Sequence, residues 1–347
     1  MASDRAHAAP DYPPDYPPDY PLVYSELEPE HTPSERAAVV GLHGLASSGR
    51  TVRHALKPLA ERGMSVLLPD LLGYGASPRP AGVVYDTETH LAALHACVDE
   101  RLGRGRPLWL VGSSMGALFA LAWAAREPER IRGVIAISAP LFTSAADARR
   151  NLARHDPMAG LMMRAPGTMS VACHLLCGEH GPGLRVSRLR ALRGVFGRGA
   201  LWMYGLGGLR PVPDADELPL ARDGLLEGFE DVWLHSWESL NDSMLQCIVE
   251  RQAWPDLERL RAVGTPILFL QGDCDTLAPV VRVRQAAGYG GWPLREYPRA
   301  THALTISHAQ SLGREIAAFI APAEQRYEQQ QPRVSFAAAP TPHHVVQ

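Results

Sequence analysis

The sequence predicts an α/β fold, a mostly parallel sheet wound on both faces by helices and interrupted by a helical insertion. Apolar runs of strand length alternate with stretches of helical length from Ala37 to Ile137, the pattern of strands joined by crossover helices. The alternation stops at Leu141 and resumes at Pro266. At its centre lies Pro107-Leu-Trp-Leu-Val-Gly-Ser-Ser-Met-Gly-Ala117. Its first half has the length and apolarity of a buried strand, and its second half opens an Ala- and Leu-rich helix closed by Pro128.

In chain order, residues 1–21 repeat Asp-Tyr-Pro-Pro twice and end in Asp-Tyr-Pro. Proline this dense builds neither helix nor central strand, so an extended, solvated tail is expected. A ligand for a proline-binding module is the alternative, and its partner is left open. Leu22–Leu27 reads as an edge strand and Ala37–Leu42 as a buried one. His43-Gly44-Leu45-Ala46-Ser47-Ser48-Gly49 is a turn, Arg50–Arg62 a helix, Met64–Leu68 a strand. Asp70-Leu-Leu-Gly73-Tyr74-Gly75-Ala-Ser77 is a polar loop, Thr87–Leu102 an amphipathic helix, Ile131–Ile137 a strand.

From 141 to 263 helical stretches are broken by Pro157, Pro166, Pro182, Pro211, Pro213 and Pro219, which reads as a helical cap. Its clearest helix is Trp237–Glu250. Pro266–Leu270 is a strand, Pro279–Gln285 a short helix, Leu294–Tyr297 a strand and Ile306–Ile320 the closing helix. Residues 322–347 show no periodicity and read as a second tail. The expected organisation is a core of 22–140 and 264–321, a cap of 141–263, and tails at 1–21 and 322–347.

Composition narrows the function. The chain is 46% hydrophobic with a formal net charge of −3, so it can bury a large core but offers no basic patch for nucleic acid. No apolar run reaches membrane-span length. The first residues lack the apolar core of a signal peptide. Five scattered cysteines read as reduced thiols, and a cytoplasmic protein is expected.

Gly112-Ser113-Ser114-Met115-Gly116 places a serine on the sharp turn between strand and helix. Glycines two residues to either side allow the turn and close packing. Ser114 projects above the sheet edge, and the amide of Met115 opens the helix, facing a developing oxyanion. A serine hydroxyl needs a base. His302 lies four residues after the strand ending near Pro298; His308, its rival, falls in the closing helix. Asp273 and Asp275 both follow Gly272 as carboxylates able to orient that histidine.

Together these motifs resemble the α/β-hydrolase-fold serine hydrolases, with a cap after the sixth strand of that fold. The resemblance spans Leu22 to Ile320 and rests on four motifs in order: His43-Gly44, the Asp70…Gly73…Gly75…Ser77 loop, Gly112-x-Ser114-x-Gly116, and an acid and histidine after the cap. Thr301 stands where that family usually has Gly. The family's spacing, three residues after Gly272, selects Asp275 over Asp273. It also implies the backbone amide of Leu45 as second oxyanion donor beside Met115. His43 and Asp70 are then expected to hold loops.

The resemblance implies a small-molecule ester cleaved through an acyl-enzyme on Ser114, with His302 as base and Asp275 orienting it, and neither cofactor nor metal. Thioesters and vinylogous diketones are alternatives on the same triad, and an idle binding module the alternative from another class. Ser rather than Asp at 114 disfavours the epoxide-hydrolase and dehalogenase branches. Cys173-His174-x-x-Cys177-x-x-His180 is weighed as a metal site and set aside, because these residues on one helix do not readily close a tetrahedron. Trp202, Tyr204, Trp233 and Trp237 line either a pocket or the cap's own core, with core the default.

Overall fold

In the apolar runs, successive side chains enter opposite cores, so both faces of each central strand are buried. The computed structural model describes residues 20–29, 37–177 and 217–330. The chain forms β1 (Tyr24–Leu27), β2 (Ala38–Leu42), α1 (Arg50–Ala60), β3 (Val66–Pro69), α2 (Thr87–Leu102), β4 (Leu108–Ser113), α3 (Met115–Arg126) and β5 (Ile131–Ile137). Next come α4 (Ala145–His155), α5 (Pro157–Arg164), α6 (Pro166–Leu176), α7 (Leu218–Asp231), α8 (Trp237–Asp242) and α9 (Trp254–Val263). The chain closes with β6 (Ile267–Gly272), α10 (Val280–Gly290), β7 (Leu294–Tyr297), α11 (Leu304–Ser307) and α12 (Ala309–Gln330).

The sheet order is β1-β3-β2-β4-β5-β6-β7. β1 is the antiparallel edge against β3, and the other pairings are parallel. The strand counted as sixth by the resemblance is thus the fifth of this sheet. Along β4, Leu108 and Leu110 enter one core while Trp109 and Val111 enter the other. Parallel register runs from Ala38↔Leu108 to Leu42↔Gly112 and on to Ser113↔Ile137. It brings the C-terminal ends of β2, β4 and β5 to one edge, where an open parallel sheet binds its ligands.

The helices between β5 and β6 continue one of these cores: Ala148, Leu152, Met162, Leu240 and Met244 share it with Phe119 and Leu42. Glu217, fully buried ahead of α7, accepts from the amides of Gln310 and Ser311 at 3.0 and 2.8 Å. That contact caps the start of α12 with a carboxylate.

Three sequence expectations change. The stretch Trp237–Glu250 is not one α-helix, because at Ser243 it widens into a π-helical segment, Ser243–Glu250. The helix expected over Ile306–Ile320 is split at His308 into α11 and α12. The second tail does not begin at 322, since α12 runs through Pro322 to Gln330. Proline there removes one backbone donor. Burial of Ala323 and Glu324 offsets that loss, as does a hydrogen bond from the buried Trp109 Nε1 to Glu324 Oε1 at 2.8 Å. The Arg132 guanidinium also lies 3.6 Å from the centre of the Tyr327 ring. The repeat in 1–19 and residues 331–347 lie outside the described residues. Helix α9, inside the expected cap, packs on α3 beside the sheet and buries Leu257 and Leu260 in the shared core.

Candidate active site

The turn after β4 sets the geometry. A Cβ on Gly112 would meet the Gly116 carbonyl oxygen at 2.2 Å, and one on Gly116 would meet that of Leu42 at 2.3 Å. Only glycine fits at either place. Between them Ser114 adopts φ 54° and ψ −118°, a conformation that costs a non-glycine residue about 1–3 kcal/mol. Its backbone is held on both sides, by Ser114 N donating to Ile137 O and Ala117 N donating to Ser114 O, each at 2.9 Å. Met115 is the first residue of α3, so its amide belongs to the helix end that lacks intrahelical acceptors.

Three elements bring the expected residues together. Ser114 Oγ lies 2.9 Å from His302 Nε2, across 188 residues of sequence. His302 sits in the loop after β7, and its Nδ1 lies 2.9 and 3.1 Å from the two oxygens of Asp275. Asp275 follows β6 and is buried. Its Oδ1 accepts from the amides of Leu277 and Ala278 at 3.0 and 2.9 Å. Its Oδ2 accepts from Gln271 Nε2 at 2.8 Å. Asp273 is exposed and out of this network. His308 is buried beside Tyr297, bonded to Ser307 Oγ at 2.7 Å rather than to Ser114.

Burial pushes the His302 pKa down, but the charge and hydrogen bond of Asp275 and the charge of Asp156 raise it above the usual 6.5. The imidazole therefore has its proton on Nδ1, facing the carboxylate, with Nε2 open toward the serine when neutral. Such a chain can pass a proton from the hydroxyl to the ring as the oxygen attacks.

His43 and Asp70 tie loops together. His43 donates from Nδ1 to Gly44 O at 2.8 Å and accepts from Leu71 N at Nε2, 2.9 Å. Burial lowers its pKa, so it stays neutral. Asp70 accepts from Gly49 N and Ala76 N, both at 2.8 Å. Leu45 lies half-buried on the first of these loops, packed on the core that contains Leu42 and Phe119.

The segment between β5 and β6 reaches the same loop and the acid. Asp231, buried at the end of α7, accepts from Ser48 Oγ at 2.5 Å and pairs with Arg50. Asn151 of α4 donates to the carbonyls of Thr276 and Leu277 at 2.9 and 3.3 Å. Sequence reasoning missed Asp231, Gln271 and Asp156. Only Asp156 carried a readable signal: the Asp-Pro pair that starts a helix, as Asp156 does by accepting from the amides of Met158 and Ala159. Trp233 and Trp237 are half-buried, and Trp237 packs on the core that contains Leu42 and Phe119. Trp202, Tyr204 and His180 lie outside the described residues.

The chain matches the α/β hydrolase fold family over residues 37–302. It belongs to that family. Among curated relatives it is 24% identical over 262 residues to the Arabidopsis thaliana protein named probable lysophospholipase BODYGUARD 4, covering 71% of this chain and 54% of that one. It is 33% identical over 108 residues to epoxide hydrolase A of Mycobacterium tuberculosis, covering 31% and 33%. The chain thus spans about half or less of these relatives' own length. A thermophilic esterase from Thermogutta terrifontis superposes with a TM-score of 0.58 at 20% identity, covering 87% of this chain and 94% of that one. At that identity the likeness speaks for the fold alone. No helix among the described residues is long and apolar enough to cross a membrane.

Proposed function

We propose that the protein is a serine esterase acting on a small-molecule carboxylic ester. The observation that carries this is the continuous hydrogen-bonded chain from Ser114 Oγ through His302 to Asp275. In this reading Ser114 attacks the ester carbonyl as His302 Nε2 takes its proton. Asp275 holds the ring in the needed tautomer and stabilises the imidazolium. The amides of Leu45 and Met115 bind the tetrahedral oxyanion. His302 then protonates the leaving alcohol, and a water activated by the same nitrogen releases the acid. Every step uses groups of this chain.

The nucleophile favours acyl transfer over the epoxide and haloalkane chemistries of the family, with thioesters and vinylogous diketones as the alternatives on the same triad. A serine at 114 forms a hydrolysable acyl intermediate, whereas the alkyl-ester route to opening an epoxide needs a carboxylate nucleophile there. The lysophospholipase name of the plant relative denotes an ester hydrolase. The segment between β5 and β6, read as a cap over the edge where Ser114 stands, would favour a compact acyl group and exclude protein chains. A catalytically idle binder has no need of all three triad residues.

The test is incubation with a fluorophosphonate probe, then a panel of p-nitrophenyl esters of graded chain length. The reading expects labelling together with turnover of short and medium esters. Absence of both would favour a binding module.

A further inference from the structure

The sequence places Cys173 and Cys177 near the end of one helix, an arrangement that by itself does not close a metal site. The fold supplies what that helix lacks. His235, from the connection between α7 and α8, enters 62 residues further along the chain. The ligand atoms of Cys173, Cys177 and His235 all lie within 4.8 Å of one another. We propose that these three side chains bind zinc, or a divalent cation of like softness, and clip α6 to the α7–α8 connection.

The geometry carries this. Cys177 follows the last turn of α6 in an extended conformation, φ −103° and ψ 160°, and its sulfur lies within 4.8 Å of both the Cys173 sulfur and the His235 ligand nitrogen. Cys173 Sγ lies 3.6 Å from His235 Nδ1. A tetrahedral zinc with bonds of about 2.3 Å to sulfur and about 2.0–2.1 Å to nitrogen holds such atoms about 3.6 Å apart. Cys173 and His235 are buried and Cys177 half-buried, which leaves one side of the site for a water as fourth ligand.

The donor set selects the ion. Two sulfurs and an imidazole suit zinc and disfavour magnesium or calcium. A bound dication forms the two metal–sulfur bonds as both thiol protons leave to solvent, and its charge balances the two thiolates. His235 Nδ1 also donates to Ser236 O at 3.0 Å, and ligation through Nδ1 replaces that bond.

The clip would act on the cap's seat over the core. His235 pairs through its backbone with Tyr74 of the glycine-rich loop. The Tyr74 hydroxyl donates to Ser239 O at 2.7 Å. A cation here closes a long loop of the cap at the point where the cap meets the core.

The experiment is a cobalt titration of the full chain after chelator treatment under reducing conditions. One cobalt per chain should give a thiolate-to-metal charge-transfer band and the intense ligand-field absorption of a tetrahedral ion, both removed by zinc. Cys173→Ser and His235→Ala should each weaken binding by roughly tenfold or more, with fluorophosphonate labelling reporting that the fold is kept. Absence of the charge-transfer band in the unmodified chain, or an unchanged band in the Cys173→Ser/Cys177→Ser protein, would overturn the proposal. A readout on the unmodified chain avoids misfolding variants: zinc should protect Cys173 and Cys177 from iodoacetamide, and equal alkylation with and without zinc would also overturn it.

Discussion

His302 Nδ1 lies within hydrogen-bond distance of both oxygens of Asp275, at 2.9 and 3.1 Å. Two backbone amides and Gln271 hold the carboxylate in that orientation. Asn at 275 keeps the shape but loses the charge, and its amide nitrogen no longer accepts from Nδ1. Asp275→Asn is therefore expected to lower kcat by about 10⁴-fold. Asp273→Asn, on the exposed side of the same turn, should stay near the parent rate. Steady-state kinetics on one p-nitrophenyl ester checks both, and the reverse ranking would move the orienting acid to Asp273.

The pH profile follows from His302. The ring accepts a proton only when neutral, and its pKa lies above 6.5. The charged form therefore persists to higher pH than in a free histidine. Below the inflection kcat/KM should fall about tenfold per pH unit, with that inflection above 6.5. Asp156 contributes to the upward shift, so Asp156→Asn should move the inflection down. Asn caps a helix about as well as Asp, which keeps α5 in place. An inflection that stays put or moves up would remove Asp156 from the site's electrostatics.

Glu324 makes the end of α12 part of the core. With Glu324→Ala the buried Trp109 indole N–H loses its acceptor, a loss of about 1–3 kcal/mol. Glu324→Gln retains an acceptor and should lose less. Deleting residues 323–347 should destabilise at least as much as the alanine change. Urea denaturation measures all three, and an unchanged midpoint for the deletion would show that the helix beyond Pro322 adds nothing.

These contacts mark where the sequence could be read and where it could not. The central strands were legible because both of their faces are buried and largely apolar, as in Ile131–Ile137, read with the same bounds that the structure has. Ser114 and the two candidate acids were legible because each directly follows such a strand. Choosing Asp275 took a family spacing, since Asp273 and Asp275 look alike until burial separates them. Glu217, Asp231 and Glu324 were invisible: each is a carboxylate whose partner lies tens to hundreds of residues away, so no local pattern marks it as buried. The helix through Pro322 was misread because proline ends helices in isolation, and only tertiary contacts override that. His235 beside Cys173 was hidden for the same reason.

Trp237 opens α8, half-buried against the core under the cap. If its exposed edge meets the acyl chain, Trp237→Ala should shift preference toward longer p-nitrophenyl esters, raising the ratio of long- to short-chain kcat/KM. A uniform loss across chain lengths would make Trp237 a support of the cap alone.

The central claim is that Ser114 is the nucleophile, and covalent capture tests it most directly. The protein is treated with a fluorophosphonate and the modified peptide located by mass spectrometry, alongside the Ser114→Ala variant checked for an unchanged melting temperature. One adduct is expected, on Ser114, and absent from the folded variant. An adduct on Ser113 or elsewhere, or equal labelling of Ser114→Ala, would contradict it.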